Sequence, residues 1–196
     1  SRFVGNEHQQ VWKHMPGERR ACLKLVSRFE ITPDDATLVY VEEERLAAKI
    51  ECADADILAN PYRLFEITRT TAQPISVATI DRGLFPMLSI RDKHPLPEPS
   101  RVPTATDVRR IRAWTVQTLE DAAVNGDTLL PRADIITSIR GMDHLPECPV
   151  TGDLMSVAEK TFSPEIEAVT LADTKPAFQL SRLAACSKPI RTKVTT

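Results

Sequence analysis

Apolar residues recur at helical spacing through the first third of the chain. In the last half they shift between helical and alternating spacing, and a proline-broken stretch separates the two. Cys22, Leu25, Val26 and Phe29 fall at i, i+3, i+4 and i+7, one stripe of a helix opening at Pro16-Gly17-Glu18. Residues 1–15 carry no clear period and predict a frayed lead-in. Thr32-Pro33-Asp34-Asp35 is a helix start: Thr32 caps, Pro33 suits the first position, and two acids favour the positive end of the dipole. That helix is expected to run to Ile50, burying Leu38, Val39, Leu46 and Ile50 and leaving Glu42-Glu43-Glu44 as a solvated face. A third short helix is expected over 54–59. Asn60-Pro61 repeats the cap-and-proline signal for a fourth over 62–67. From Thr71 to Pro103 the pattern collapses: Pro74, Pro86, Pro95, Pro97, Pro99 and Pro103 break helices. One short strand over 75–80 and an extended, polyproline-like spacer at 94–99 are expected.

Periodicity returns at residue 106. Thr106 is read as the cap of a long helix whose inward residues include Ile111, Thr115, Leu119, Ala122 and Ala123, and Asn125-Gly126 ends it. A short strand over 128–131 follows, then helices over 132–141 and 152–162. Ile135, Ile136 and Ile139 line the first of these two. Thr151 caps the second, whose apolar side is Leu154, Val157, Ala158 and Phe162. Two alternating runs, 165–171 and 176–183, are joined by Ala172-Asp173-Thr174-Lys175, with Phe178, Leu180 and Leu183 placed for burial. Helix, strand, helix, helix, hairpin is the order of a winged helix. The expected fold class is therefore mainly α (α+β). A small helical, helix-hairpin-helix-like domain covers 1–73, a Pro-rich connector 74–105, and a winged-helix-like domain with a β-hairpin wing 106–183. Residues 184–196 would lead onward, because the chain starts at Ser1 and reads as a piece of a longer protein.

Composition narrows the function. Net charge is −2 and the sequence pI about 6.1, which excludes a strongly basic DNA-binding domain but not a local basic face. Residues 101–196 hold 12 Lys and Arg against 12 Asp and Glu, so non-specific nucleic-acid binding is expected to be weak with a shallow salt dependence. Cys22, Cys52, Cys148 and Cys186 are scattered, without zinc-ligand spacing, and read as free thiols of a cytoplasmic protein. No apolar run reaches the roughly 20 residues that cross a bilayer, so no membrane partner is expected.

Candidate chemistry is sparse. The chain has no G-x-x-x-x-G-K-[ST] loop, no G-x-S-x-G and no H-E-x-x-H, and no catalytic residue or metal site is assigned. His8, His14, His94 and His144 fall in expected loops or termini. The basic residues matter more. Arg109, Arg110 and Arg112 lie in the first turns of the long helix, where they oppose its dipole, and so point to a phosphate or an acidic partner as well as to a solvated face. The third helix of the second domain, which reads the major groove in many winged helices, offers Asp153 and Glu159 against Lys160 alone. Lys175 sits at the hairpin tip. Arg109, Arg110, Arg112, Lys160 and Lys175 are the candidate nucleic-acid contacts, with base readout not expected.

Several stretches resemble a known family. Ile57-Leu58-Ala59-Asn60-Pro61-Tyr62-Arg63-Leu64 is similar to the NPYRL region of RecD-like helicases, the exonuclease V alpha-subunit family. Residues 118–131, with Leu-Glu-Asp-Ala-Ala and Gly-Asp-Thr-Leu-Leu-Pro, resemble the segment those proteins place before their motor. Phe178-Gln179-Leu180-Ser181-Arg182-Leu183 with Lys188-Pro189-Ile190-Arg191 resembles the lead into the first ATPase domain. Asp81-Arg82-Gly83-Leu84-Phe85-Pro86 is similar to a feature of a bacterial subgroup. The resemblance implies the pre-motor region of an ATP-dependent 5′-to-3′ DNA helicase involved in DNA repair. ATP and Mg would bind only in the parent's motor. Partners would be single-stranded or forked DNA, the motor domains of the same chain and other nuclease-complex subunits. Two departures stand out. Thr68 to Pro74 replaces a Gly-rich hairpin turn, and Asp127 stands where the family usually has His. A free-standing winged-helix regulator and a structural interaction module are the alternatives.

Overall fold

The computed structural model describes residues 5–143 and 145–186. His144 and the stretch 187–196, with its Lys188-Pro189-Ile190-Arg191, lie outside the described residues. The chain divides into two compact units, Ser1–Val102 and Pro103–Thr196. It is mainly α, with a small three-stranded antiparallel sheet.

The first unit is a set of short helices: α1 (Asn6–His14), α2 (Gly17–Val26), α3 (Pro33–Tyr40), α4 (Glu42–Ala47), α5 (Asp54–Ala59), α6 (Arg63–Thr68), α7 (Val77–Leu84) and α8 (Leu88–Lys93). The α2 stripe holds: Cys22, Leu25, Val26 and Phe29 are buried, and α2 packs on α3 and α5. The α3 start is a complete capping box. Thr32 Oγ1 accepts from Asp35 N at 3.1 Å, and Asp35 Oδ2 accepts from Thr32 N at 3.2 Å.

Several expectations are corrected by the structure. Residues 6–14 form a helix rather than a frayed lead-in, with Glu7 in its first turn and Lys13 and His14 in its last, in accord with the dipole. The helix from Pro33 does not reach Ile50. It breaks at Val41, whose φ of −86° and ψ of 118° are extended. The break resets the helical phase, so Arg45 is buried while Leu46 stays 62% exposed. A Schellman closure ends α4: Lys49 N donates to Leu46 O, Ile50 N donates to Arg45 O, and Lys49 takes the left-handed position at φ 59°.

Residues 75–80 do not make a strand. Ser76 caps α7, its Oγ accepting from Thr79 N at 3.1 Å. Val77, Ile80, Asp81 and Leu84 point inward at helical spacing. Asp81 is buried because Tyr62, itself fully buried, donates its hydroxyl to Asp81 Oδ1 at 2.5 Å. Gly83 makes the close approach possible. A Cβ there would lie 2.5 Å from Phe29 Cδ1 and 2.8 Å from the Arg28 carbonyl oxygen.

The second unit comprises α9 (Val108–Val124), β1 (Leu130–Pro131), α10 (Arg132–Gly141), α11 (Gly152–Glu159), β2 (Ile166–Thr170), β3 (Pro176–Leu180) and a last helix, α12, over 181–186. The strands lie in the order β1-β3-β2, all antiparallel, with Ala168 opposite Phe178 and Leu130 opposite Phe178 on the other edge. This is a winged-helix-like arrangement, with the β2–β3 hairpin as the wing. The N-cap of α9 is Asp107, not Thr106: its Oδ1 accepts from Arg109 N at 3.0 Å. Gly126 ends α9 at φ 97°. Residues 181–183 turn into α12 rather than extending β3, and Leu183 is half-buried. Val157, expected on the apolar side of α11, is 50% exposed, and Met155 takes the inward position. Phe162 packs edge-on to Phe178, centroids 5.1 Å apart at 81°, a geometry worth about 1 kcal/mol beyond burial.

Candidate nucleic-acid interface

The five candidate residues separate into two groups. Arg110, on the first turn of α9, has no exposed surface. Its guanidinium donates to the carbonyls of Ala105 (2.7 Å), Pro146 (2.5 Å) and Glu147 (3.3 Å). Arg112 is 5% exposed and donates to the Ser163 carbonyl at 2.9 Å. Both side chains pin loops onto α9 and lie beneath the surface. Arg109 chelates Asp107 through Nε and Nη2, each at 2.9 Å. The Asp107 carboxylate offsets the cost of placing cations at a helix start.

Lys160 and Lys175 are exposed. Lys160 directly follows α11. Lys175 stands at the wing tip, where its Nζ lies 2.7 Å from Asp173 Oδ2. That hydrogen bond holds the Asp173 carboxyl below its ordinary range. Leu171 and Lys175 close the tip through a backbone bond of 2.9 Å, and Thr174 takes φ 67°. The outer face of α11 shows Asp153, Ser156, Val157 and Lys160. An aspartate, a serine and an aliphatic residue do not match the donor pattern that reads guanine or adenine edges.

Arg132 was not singled out from the sequence. It opens α10 and donates to the Gly152 carbonyl and, at 2.5 Å, to Ser156 Oγ, which ties α10 to the first turn of α11. With Pro131, Ala133, Ile136, Lys175 and Pro176 it lines a shallow cleft of about 270 Å³ beside the wing. Its position directly after a strand and at a helix start was the available signal.

In the first unit, the turn between α6 and α7 uses its own amides. Thr71 N donates to Thr68 O at 2.8 Å, Ile75 N to Thr68 Oγ1 at 3.0 Å and Thr79 N to Ser76 Oγ at 3.1 Å. These amides point into the turn and not toward a passing phosphate.

Nearby, Asp54 joins α2 and α4 to α5. Its carboxylate takes Arg45 Nη2 at 2.8 Å and Arg19 Nη1 at 2.8 Å. Burial, then the Asp54 charge, pushes the Cys22 thiol up to about 11, so it stays protonated at neutral pH and is no nucleophile. Among the described residues, no group of three or more His, Cys, Asp or Glu is placed to hold a metal ion. No helix among them is long and apolar enough to cross a membrane. Comparison of the chain with protein-family models, curated proteins and solved structures finds no match.

Proposed function

We propose that this chain is an accessory, non-catalytic region of a RecD-like, ATP-dependent 5′-to-3′ DNA helicase, and that its winged helix guides a single strand or docks protein without reading sequence. One observation carries the proposal. Two separate stretches that resemble the family, 60–64 and 81–86, meet through the buried Tyr62–Asp81 hydrogen bond. Their co-occurrence thus has a packing reason. ATP and Mg would belong to the parent's motor, and the parent would act in the cytoplasm. DNA contact falls to Lys160 and Lys175, with Arg109 secondary, because Arg110 and Arg112 are buried. The half-exposed Val157 on α11 favours docking against protein as a second use of the same face.

The test is a fluorescence-anisotropy titration of the 196-residue chain at low salt with single-stranded, forked and duplex DNA. Weak binding of single-stranded and forked DNA, reduced two- to threefold by Lys160→Ala with Lys175→Ala, is expected, since exposed phosphate contacts each contribute roughly 1 kcal/mol or less. Tight, sequence-dependent duplex binding would instead mark a free-standing regulator. Absence of any binding would leave the interaction module.

A further inference from the structure

The first unit contains a cationic cavity of about 240 Å³ lined by Arg28, Arg91 and Arg101 with Leu84, Leu96 and Asp92. Three arginines and one aspartate are the charged residues of its lining. Arg28 follows α2 and is half-buried. Burial, with no opposing charge contributing, pulls its guanidinium below the ordinary value. A partly desolvated cation of this kind is favoured by an anion that meets it. The Arg91 wall is fixed. Arg91 donates to the Val102 carbonyl at 2.8 Å and lies 5.4 Å from the Phe85 ring centre. Gly83 lets α7 close directly on the Arg28 carbonyl, which sets the Arg28 turn beside Leu84.

We propose that this cavity is a phosphate-binding site. Guanidiniums present forked donors that match phosphate oxygens, and several converging on one small cavity favour a single tetrahedral anion. Asp92 on the lining opposes anion binding, and the three arginines outnumber it. The phosphate is that of a nucleic-acid backbone or of a free nucleotide or phosphate. The site does not rest on the helicase reading: its residues lie in the first unit, and Lys160 and Lys175 are not among them.

The experiment uses the whole 196-residue chain with inorganic phosphate, pyrophosphate and a short oligothymidylate as probes. Pyrophosphate is expected to raise the melting temperature saturably and to bind by calorimetry, as a ligand of the folded state must. Arg28→Ala should weaken that binding about tenfold or more, the range of a lost charge-assisted contact, without lowering the melting temperature of the unliganded chain. Arg101→Gln, at an exposed lining position, should weaken it less, and Lys175→Ala not at all. Displacement of pyrophosphate by the oligothymidylate identifies a backbone phosphate. Displacement by inorganic phosphate alone identifies a free anion. Binding that Arg28→Ala and Arg101→Gln leave unchanged, or a thermal shift that sulfate and chloride reproduce equally in all variants, overturns the site.

Discussion

The two units bury arginine in different ways. In the first, Arg45 at 3% exposure meets a carboxylate: Asp54 bridges it to Arg19, so one acid from α5 ties together side chains from α2 and α4. Arg19 also lies 3.9 Å from the Tyr40 ring centre and donates to the Tyr40 carbonyl at 2.5 Å. In the second, Arg110 and Arg112 leave one long helix and reach main-chain carbonyls in loops. The first arrangement joins helices to one another, and six-residue helices such as α4 and α5 need such ties because they are marginal alone. The second fastens irregular segments to a 17-residue helix whose apolar face is already buried. Buried arginine therefore joins helices through Asp54 in one unit and fastens loops to α9 in the other. A cation at a helix start in the sequence is consistent with either role, and equally with a phosphate contact.

The largest effect should come from Asp54→Ala. It strands Arg45 in the interior, and breaking a buried pair from one side costs about 3–5 kcal/mol. Each unit carries one tryptophan, Trp12 and Trp114. Urea unfolding of Asp54→Ala followed through Trp12, in a Trp114→Phe background, should show the full loss. A loss under about 1 kcal/mol, the range of a surface pair, would show that the bridge is not buried in solution. Next comes Arg110→Met, which fills the volume of the stem but leaves three carbonyls without this donor. About 3 kcal/mol is expected, read through Trp114 in a Trp12→Phe background. An Arg110→Met chain as stable as its parent, but impaired in DNA binding, would return Arg110 to the interface and break the contrast between the units.

The same contrast governs what the sequence made legible. The second unit follows local grammar over most of its length: Ile111, Leu119, Ile135, Ile139, Phe178 and Leu180 are buried as their spacing requires. In α7 and α4 the reading failed where a polar residue occupied an inward position. Asp81 hid the helical stripe of α7, whose Val77, Ile80 and Leu84 spacing was present. A short strand over 75–80 was the expectation instead. Tyr62, 19 residues away, is what makes Asp81 tolerable inside, and no local rule supplies that partner. Arg45 beside the exposed Leu46 failed similarly, because the break at Val41 moved the helix phase. For the site, charge and position alone drew attention to Arg109, Arg110 and Arg112. Only burial separates Arg110 and Arg112 from the exposed Lys160 and Lys175.

The smallest expected effect is also the most symmetric, since among the described residues each unit carries one non-glycine residue in the left-handed region: Lys49 at φ 59° and Thr174 at φ 67°. Lys49 occupies the usual glycine position of the α4 Schellman closure, and Thr174 the corresponding turn position of the wing. A left-handed residue with a Cβ costs roughly 1–2 kcal/mol, and glycine gives back part of that through its freer unfolded chain. Lys49→Gly should therefore stabilise the first unit by about 0.5 kcal/mol, and Thr174→Gly the second by about 1 kcal/mol, more because threonine is branched at Cβ. Shifts of the urea midpoint to higher concentration, followed through Trp12 and Trp114 respectively, would register both. A lower midpoint for Thr174→Gly would mean that the threonine hydroxyl, which donates to the Asp173 carbonyl at 2.6 Å, outweighs the backbone strain. The wing tip would then be held by its side chains rather than by its turn geometry.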